Sequence, residues 1–491
     1  MFFILRSIWF SKDKGYHSFI ITNKWLRAKY GKKIRRFLKE NLTIKKVIDF
    51  NGIRVFVGAT VDTLVYVIQK KKPERDNLIF YNHPLSWDSI EQGGYKVKQA
   101  SLSDDIWNFV DERTEEIKKW IEKVGKPLKG LDVKIYRGIT TGFNEAFVID
   151  NETRKRLIEE DPKSAELIKP LLRGRDIGRY YVEWDNIYLL YIPWHFPLHS
   201  NKITGASKKA EEKFKKQYPA VYNHLHKFKD ELMNRNKEET GIRYEWYALQ
   251  RFASDYYHKF EKPKIVFARI IKEPKFFYDL SRFYIEATGY ILTSTITLPL
   301  KYLLLLLNCY AIYNIFYKFY SGGGVDGEIK INKLQLLPIY ISHNFEPYII
   351  LSDYLLSLYS TNNIQKHGMT VFDYIADSLV YEVYFKEKFA GDGIYPEPKE
   401  YLLEAVSKHL KPINYDRWAE LYWKKQLEGN LKPEEEKELE DLENENLKTI
   451  IEVAESIKAD REIMELIERI KGHEWERVVE GNTKIDREVE W

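Results

Sequence analysis

Two loops carry cationic and amide side chains among glycines, a pattern suited to a polyanion. In Ile135–Phe147 a β-rich run ends in a loop with Arg137, Thr140, Thr141 and Asn144 around Gly138 and Gly142. Hydroxyls and an amide can bond base edges or phosphate oxygens, and glycine lets backbone N–H groups approach phosphate closely. In Pro170–Tyr180, Arg173, Arg175 and Arg179 surround Gly174 and Gly178. Phosphate contact is one reading of these arginines. Pairing to nearby acids such as Asp176 is the other. A third cationic cluster lies in 25–40, where Leu26, Tyr30, Ile34 and Leu38 form one apolar stripe at helical spacing. Arg27, Lys29, Lys32, Lys33, Arg35, Arg36 and Lys39 cover the other faces. Such a helix is a solvated surface, a phosphate contact through Arg27, Lys32 and Arg36, or an anionic-lipid contact with Trp25 as its only large anchor.

Catalytic motifs are missing or incomplete. Gly322-Gly323-Gly324-Val325-Asp326-Gly327 fits G-x-G-x-x-G. A dinucleotide site needs a strand before that motif and a helix after it. Here a helical stretch precedes and an extended one follows, which predicts a loop. Asp326 with Glu328 and Lys330 resembles fragments of a metal-nuclease motif, without the earlier aspartate that would complete the metal pair. His195/His199 and His224/His226 have no cysteine or carboxylate at metal-ligand spacing and read as loop or surface histidines. Neither G-x-S-x-G nor a Walker A sequence occurs.

The elements that must carry these residues follow from periodicity. Strands are expected at 16–22, 44–50 and 63–69, with a short extended piece at 53–57 and an exit loop at 70–76. Helices are expected at 25–40 and 102–124, the second on Ile106, Phe109, Val110, Ile117, Ile121 and Val124. From 131 to 345 short β runs (133–136, 146–150, 180–184, 188–192, 264–267, 289–293) alternate with helical stretches at 206–236 and 300–318. Beyond 346 the pattern is helical. Pro433 opens an acidic first turn there, which suits the helix dipole. Pro299 and Lys301 split the apolar run 290–317 into pieces too short to span a bilayer, so a strand and a core helix are expected.

Composition sets the setting. The 491 residues are 44% hydrophobic and 15% aromatic, enough for large cores. One cysteine, Cys309, excludes a disulfide framework and a cysteine-based zinc cluster. No secretory signal is read, so a cytoplasmic protein off the membrane is expected. Few Cys and Met with abundant Lys, Glu, Ile and Tyr suggest a thermophile. The net charge of +5 averages opposites: residues 1–75 hold 18 basic and 5 acidic side chains, whereas 431–480 hold 8 and 17. The basic front predicts an anionic partner.

Taken in order, several segments resemble one family. Tyr16–Leu26, Val47–Phe50 and Val55–Thr63 resemble the closing motifs of a γ-class methyltransferase domain. Arg137–Asp150, Leu171–Tyr180, Phe260–Val266, Tyr302–Asn308 and Lys333–Pro338 resemble a target-recognition domain. The chain thus resembles the C-terminal half of a type IIG restriction-modification enzyme, or an adenine-specific DNA methyltransferase, with a TaqI-like C-terminal specificity domain. The resemblance implies an α/β remnant of a Rossmann-like methyltransferase domain (1–90), a helical linker (91–130), an α+β target-recognition domain (131–345) and a helical C-terminal region (346–491). It implies double-stranded DNA as partner and adds Lys264 to the DNA-contact candidates. S-adenosylmethionine is implied for the complete enzyme. Its glycine loop and the Asn-Pro-Pro-Tyr motif do not occur in this sequence, and Asn82-His83-Pro84-Leu85 is not that motif. The family's N-terminal nuclease has no counterpart here. The expectation is therefore a recognition part, truncated and not catalytic alone. The alternatives are half of a split methyltransferase completed by a partner chain, or a helical scaffold or membrane-surface protein without DNA affinity.

Overall fold

The computed structural model describes all residues except 1, 51–52, 54, 57–60, 85, 88–89, 91–92, 105, 108, 110–111, 199–202, 236–243, 295–297, 322–326, 361–369, 474–475, 477–478 and 480–491. The chain divides into two compact units, residues 1–123 with 321–326, and residues 124–320 with 327–491. The architecture is mixed α/β, with helices throughout and several sheets. Arg54 and Val57 of the piece expected at 53–57, Val110, His199 and Gly322–Asp326 lie outside the described residues.

The first unit is built on one mixed sheet. Its strands are β1 (Tyr16–Thr22), β2 (Thr43–Asp49), β3 (Thr63–Gln69), β4 (Leu78–Asn82) and β5 (Tyr95–Lys98), in the order β1-β3-β2-β4-β5. β3 runs antiparallel to both β1 and β2, and β5 is antiparallel to β4. The one parallel pair is β2 with β4, where Val47 lies opposite Tyr81. The first three strands fall where the sequence places them. β4 and β5 were not anticipated; they follow the exit loop and carry Ile79, Tyr81 and Val97 into the core.

The helix expected over 25–40 is shorter. Two 3-10 turns, Asn23–Leu26 and Lys29–Gly31, precede a helix at Lys32–Asn41. The cause is Arg35, which is fully buried instead of facing solvent. Its guanidinium donates to the carbonyls of Trp25, Ala28 (2.9 Å) and Asp104 (3.3 Å). The buried Trp25 carbonyl gains its donor in this way, where an unpaired one would cost about 1–3 kcal/mol. Leu26, Ile34 and Leu38 reach the core as the stripe predicts, but Tyr30 stays exposed.

The helix expected over 102–124 begins only at Glu112. Trp107 and Phe109, two residues apart, both enter the core of the first unit, and the Trp107 N–H donates to the Leu26 carbonyl (2.9 Å). Alternate inward residues demand extended chain, so a period of two prevails before the helix. Phe109 stacks on Tyr81 with ring centroids 4.7 Å apart.

The second unit holds β6 (Lys126–Pro127), β7 (Val133–Arg137), β8 (Val148–Ile149), β9 (Ile168–Leu172), β10 (Tyr188–Leu190), β11 (Lys264–Ala268), β12 (Phe276–Asp279), β13 (Tyr284–Ile285), β14 (Gly289–Ser294) and β15 (Pro338–Ile339). They form two four-stranded sheets, β12-β11-β14-β7 and β13-β9-β10-β8, and the pair β15-β6. The first sheet is antiparallel throughout. In the second, β13 lies parallel to β9. The run expected as a strand at 180–184 is not one, because Tyr180 adopts φ +67° and only an isolated Ile177–Val182 bridge forms. The stretch 206–236 breaks at Pro219, which has no N–H to continue the helix Lys208–Gln217.

The leucine-rich run is core. Helices Leu300–Asn308 and Tyr310–Phe319 meet at 70° around Cys309, a buried thiol whose pKa burial raises well above its ordinary value. Asn308 is buried in this apolar run because it serves β12: its Oδ1 accepts from the Phe276 N–H (3.0 Å) and its Nδ2 donates to the Phe276 carbonyl (2.8 Å). Among the described residues no single helix is long and apolar enough to cross a membrane. Helices at Glu346–Ser360, Val371–Gly391, Tyr401–Ser407, Tyr415–Glu428, Pro433–Ala459 and Arg461–Lys471 complete the unit, and Pro433 opens its helix as expected.

Arg179 ties these layers together and is a correction to its expected place at DNA. It is 7% exposed. Its Nε donates to the Asn308 carbonyl (3.0 Å), one Nη to the Tyr359 hydroxyl (3.0 Å), and that Nη lies 2.6 Å from the Asp373 carboxylate. Removing one member of a buried ion pair strands the other charge. Arg179→Ala is expected to lower unfolding free energy by about 3–5 kcal/mol. Arg175→Ala, at a side chain 72% exposed, should change it by less than about 0.5 kcal/mol. Denaturant titration of both variants checks this contrast.

Candidate nucleic-acid interface

Two backbone segments of the second unit converge on the turn between β13 and β14, and a third joins the first of them. β7 leaves its sheet at Arg137 beside Tyr290. The Gly138 N–H then donates to the Gly289 carbonyl (3.0 Å), and the Ile139 N–H to the Ile285 carbonyl (2.7 Å). From β9, the Glu286 N–H donates to the Leu172 carbonyl (2.9 Å), and the Gly174 N–H donates to Thr288 Oγ1 (2.9 Å). From a third direction, Thr140 and Arg251 exchange backbone hydrogen bonds of 3.1 and 2.9 Å. The surface thus gathers the loops 137–144 and 173–176, the turn 286–288 and the segment from Arg251.

The glycines do a different job from the one expected. A Cβ on Gly138 would strike the Glu286 carbonyl, and one on Gly174 would sit 2.6 Å from the Thr288 carbonyl. Gly142, at φ +82°, would meet Arg235 Cδ and Gln250 Oε1, each at 2.6 Å. These glycines allow protein to approach protein, and the N–H groups of Gly138 and Gly174 are already engaged.

The expected contacts separate into exposed and internal groups. Arg137 and Asn144 are exposed, and Thr140 is half-buried. Thr141 is a correction: it is 3% exposed, and its hydroxyl donates to the Asn144 side-chain oxygen (2.5 Å). Arg173 follows its alternative reading. It pairs with Asp176 (3.0 Å) and with Asp185, and these acids outweigh burial and raise its pKa. Arg175 projects outward, 3.8 Å from Asp176. Lys264 is a second full correction: it has no exposed surface and donates to the Phe260 carbonyl (2.6 Å) and to Asp279. In the first unit Lys32 and Arg36 are exposed, Arg36 pairing with Glu40 (3.0 Å). Arg27 is half-buried, its Nε without a hydrogen-bond partner.

Sequence reasoning missed several residues that build the surface. Arg235 is buried and donates to the carbonyls of Thr141 (2.8 Å) and Ala248 (2.9 Å), supporting the 137–144 loop from beneath. Burial lowers its pKa. Tyr256 stacks on Tyr136 at 4.6 Å and donates to the Arg137 carbonyl (2.9 Å). Glu286 accepts from Asn144 Nδ2 (3.4 Å) and from the Thr288 hydroxyl (2.6 Å). Nothing local in the sequence marks these residues, because each acts on a segment far along the chain.

Metal and cofactor positions are sparse. No group of three or more His, Cys, Asp or Glu side chains placed to hold a metal occurs among the described residues. Glu328 is occupied by Arg269 (2.7 Å). His195 and His224 are buried, not surface groups; His195 bonds Glu245 (3.0 Å) and His224 the Ala146 carbonyl (3.1 Å). Among the described residues, the stretch from β1 through Gly31 does not fit S-adenosylmethionine's glycine loop. β1 leads into Asn23–Leu26 without a glycine, and the space beside Gly31 is filled by the Trp25 carbonyl and the Arg35 guanidinium.

Fold and surface together define a mixed α/β protein whose second unit presents a loop-built, arginine-bearing face. Residues 169–339 match the model of the TaqI-like C-terminal specificity domain, and residues 1–56 match that of the Eco57I restriction-modification methylase. The chain is similar to the type II restriction enzyme and methyltransferase RM.Eco57I of Escherichia coli, 26% identical over 266 residues, covering 51% of this chain and 26% of that protein. It is 30% identical over 119 residues to the type II methyltransferase M.MjaIV of Methanocaldococcus jannaschii, covering 24% and 35%. The chain thus spans about a quarter to a third of these relatives' length. The Type IIL restriction-modification enzyme MmeI, solved in complex with DNA, aligns over 79% of this chain and 48% of its own at 12% identity, with a TM-score of 0.46. The resemblance to restriction-modification methyltransferases with a TaqI-like specificity domain therefore holds.

Burial, against the weaker pull of its carbonyl bond, lowers the pKa of His224. Below about pH 6.5 the unfolded histidine binds a proton that the folded one does not. His224's own contribution to stability should therefore fall as pH drops from 7 toward 5, so the stability of the wild type relative to His224→Gln should fall over that range. Thermal melts across this range check it.

Proposed function

We propose that these residues are the target-recognition part of a site-specific adenine-N6 DNA methyltransferase of a type IIG restriction-modification system. The surface around the β13–β14 turn is the part that meets duplex DNA. The observation that carries this reading is coincidence: the specificity-domain match at 169–339 contains Arg175, Arg251, Glu286 and Thr288 of the convergent surface. Exposed Arg137 and Arg175 would contact phosphate, while the half-buried and polar side chains between them face base edges. The mixed sheet of the first unit would be the closing portion of a Rossmann-like methyltransferase domain, in line with the methylase match at 1–56.

Chemistry on adenine N6 requires the base to be flipped and its amino group aligned with a methyl donor. The resemblance assigns that alignment to an Asn-Pro-Pro-Tyr motif, which these 491 residues do not contain. They are expected to bind duplex DNA in a salt-dependent manner and to transfer no methyl group by themselves. In fluorescence anisotropy, Arg137→Ala and Arg175→Ala should each weaken binding to all sequences alike and flatten the log–log salt slope by about one unit. Unchanged slopes in both variants, or no duplex binding at low salt, would refute the reading.

A second reading has an observation of its own. The helix Phe2–Phe10 exposes Phe2, Phe3, Trp9 and Phe10 beside a groove lined by Phe37, Leu42 and Lys70–Lys72. Exposed apolar patches of this kind mark interaction surfaces. A donor-binding methyltransferase half would cover this one. Methylation appearing only after a chain with the Asn-Pro-Pro-Tyr motif is added would support it.

A further inference from the structure

Glu286 differs from Asp176 and Asp185, the acids of this surface that pair with Arg173. Its carboxylate sits on the turn where the loops bearing Arg137, Arg173 and Arg175 converge, yet no arginine–Glu286 ion pair is among the bridges of that surface. It accepts instead from two neutral groups, Asn144 Nδ2 at 3.4 Å on one oxygen and the Thr288 hydroxyl at 2.6 Å on the other. Each carboxylate oxygen can accept a second hydrogen bond, so acceptor capacity remains. The side chain is partly exposed, and its turn is fixed on both sides. Its own N–H is held by the Leu172 carbonyl, and Thr288 is held by the Gly174 N–H.

A carboxylate near DNA is repelled by phosphate, which disfavours it anywhere the backbone passes. It gains only where it meets a hydrogen-bond donor on a base edge. In the major groove cytosine offers N4 as a donor and no neighbouring acceptor on the same base. Adenine places its N7 acceptor beside N6, where a carboxylate would meet a lone pair. An asparagine amide serves adenine better, but Asn144 is already tied to Glu286 and Thr141.

Resting on the DNA-recognition reading above, we infer that Glu286 is a specificity-determining residue that accepts a hydrogen bond from the N4 amino group of a cytosine in the target site. Asn144 and Thr288 fix its rotamer; they are positioning residues. Glutamine in its place would retain an acceptor for its neighbours but present a donor toward the base.

The test selects bound duplexes from a randomised pool with the full 491-residue chain, Glu286→Gln and Thr288→Val, and compares base preference position by position. The wild type should demand cytosine at one position. E286Q should lose that preference by about 5- to 150-fold, with every other position unchanged. T288V, which keeps the carboxylate but removes one of the two bonds that orient it, should weaken the cytosine preference by less than E286Q does. An E286Q preference identical to wild type at every position overturns the inference and leaves the DNA reading standing. So does loosening at all positions together, or equal loss in T288V, since either makes Glu286 a structural strut. Wild-type binding without base preference also overturns it. Absence of any duplex binding by the wild type is a different failure, that of the DNA reading itself.

Discussion

The constraint on which the surface depends is close backbone approach at the β13–β14 turn. Gly138 and Gly174 each lie where a single added carbon would collide with a carbonyl of residues 286 or 288. Their N–H groups are spent on that same turn. Two loops from different sheets are therefore pinned to one turn, and the side chains they carry share one surface. Replacing either glycine would push its loop away by the width of a methyl group, which is enough to displace the side chains that the loop carries.

Beneath this surface the unit is joined by buried cations. Arg179 binds Asp373, Tyr359 and Asn308, reaching from the second loop to the C-terminal helices. Lys264 and Asp279 form a closed pair between β11 and β12. Arg235 ties the Thr141 carbonyl, inside the 137–144 loop, to the Ala248 carbonyl. Each satisfies polar groups that a purely apolar core could not, and each loses far more when one partner is removed than the pair contributes by its presence. The loops around the β13–β14 turn and the helical tail thus belong to one compact unit.

Much of this was legible in the sequence, and the failures have one cause. Runs of β-branched and aromatic residues located β1, β3, β7 and β14, the leucine run declared itself as core, and the two arginine loops were found. What composition could not reveal was direction. Arg35, Arg179 and Lys264 look like neighbours of Arg36, Arg175 and Lys262, yet they turn inward because distant carbonyls and carboxylates need donors. Glu286 and Arg235 stayed hidden for the same reason, since their partners lie far along the chain. The helix expected from 102 failed because Trp107 and Phe109 are both needed inside, and only extended chain delivers residues two apart to one face.

The central claim is that the surface around the β13–β14 turn meets DNA. Photocrosslinking to a duplex carrying 5-bromouracil, followed by mass spectrometry of the joined peptides, tests it most directly. The account predicts crosslinks within 137–144, 173–176, 251–257 and 286–288. Crosslinks confined to other faces of the second unit, or none in a mixture that binds, would contradict it.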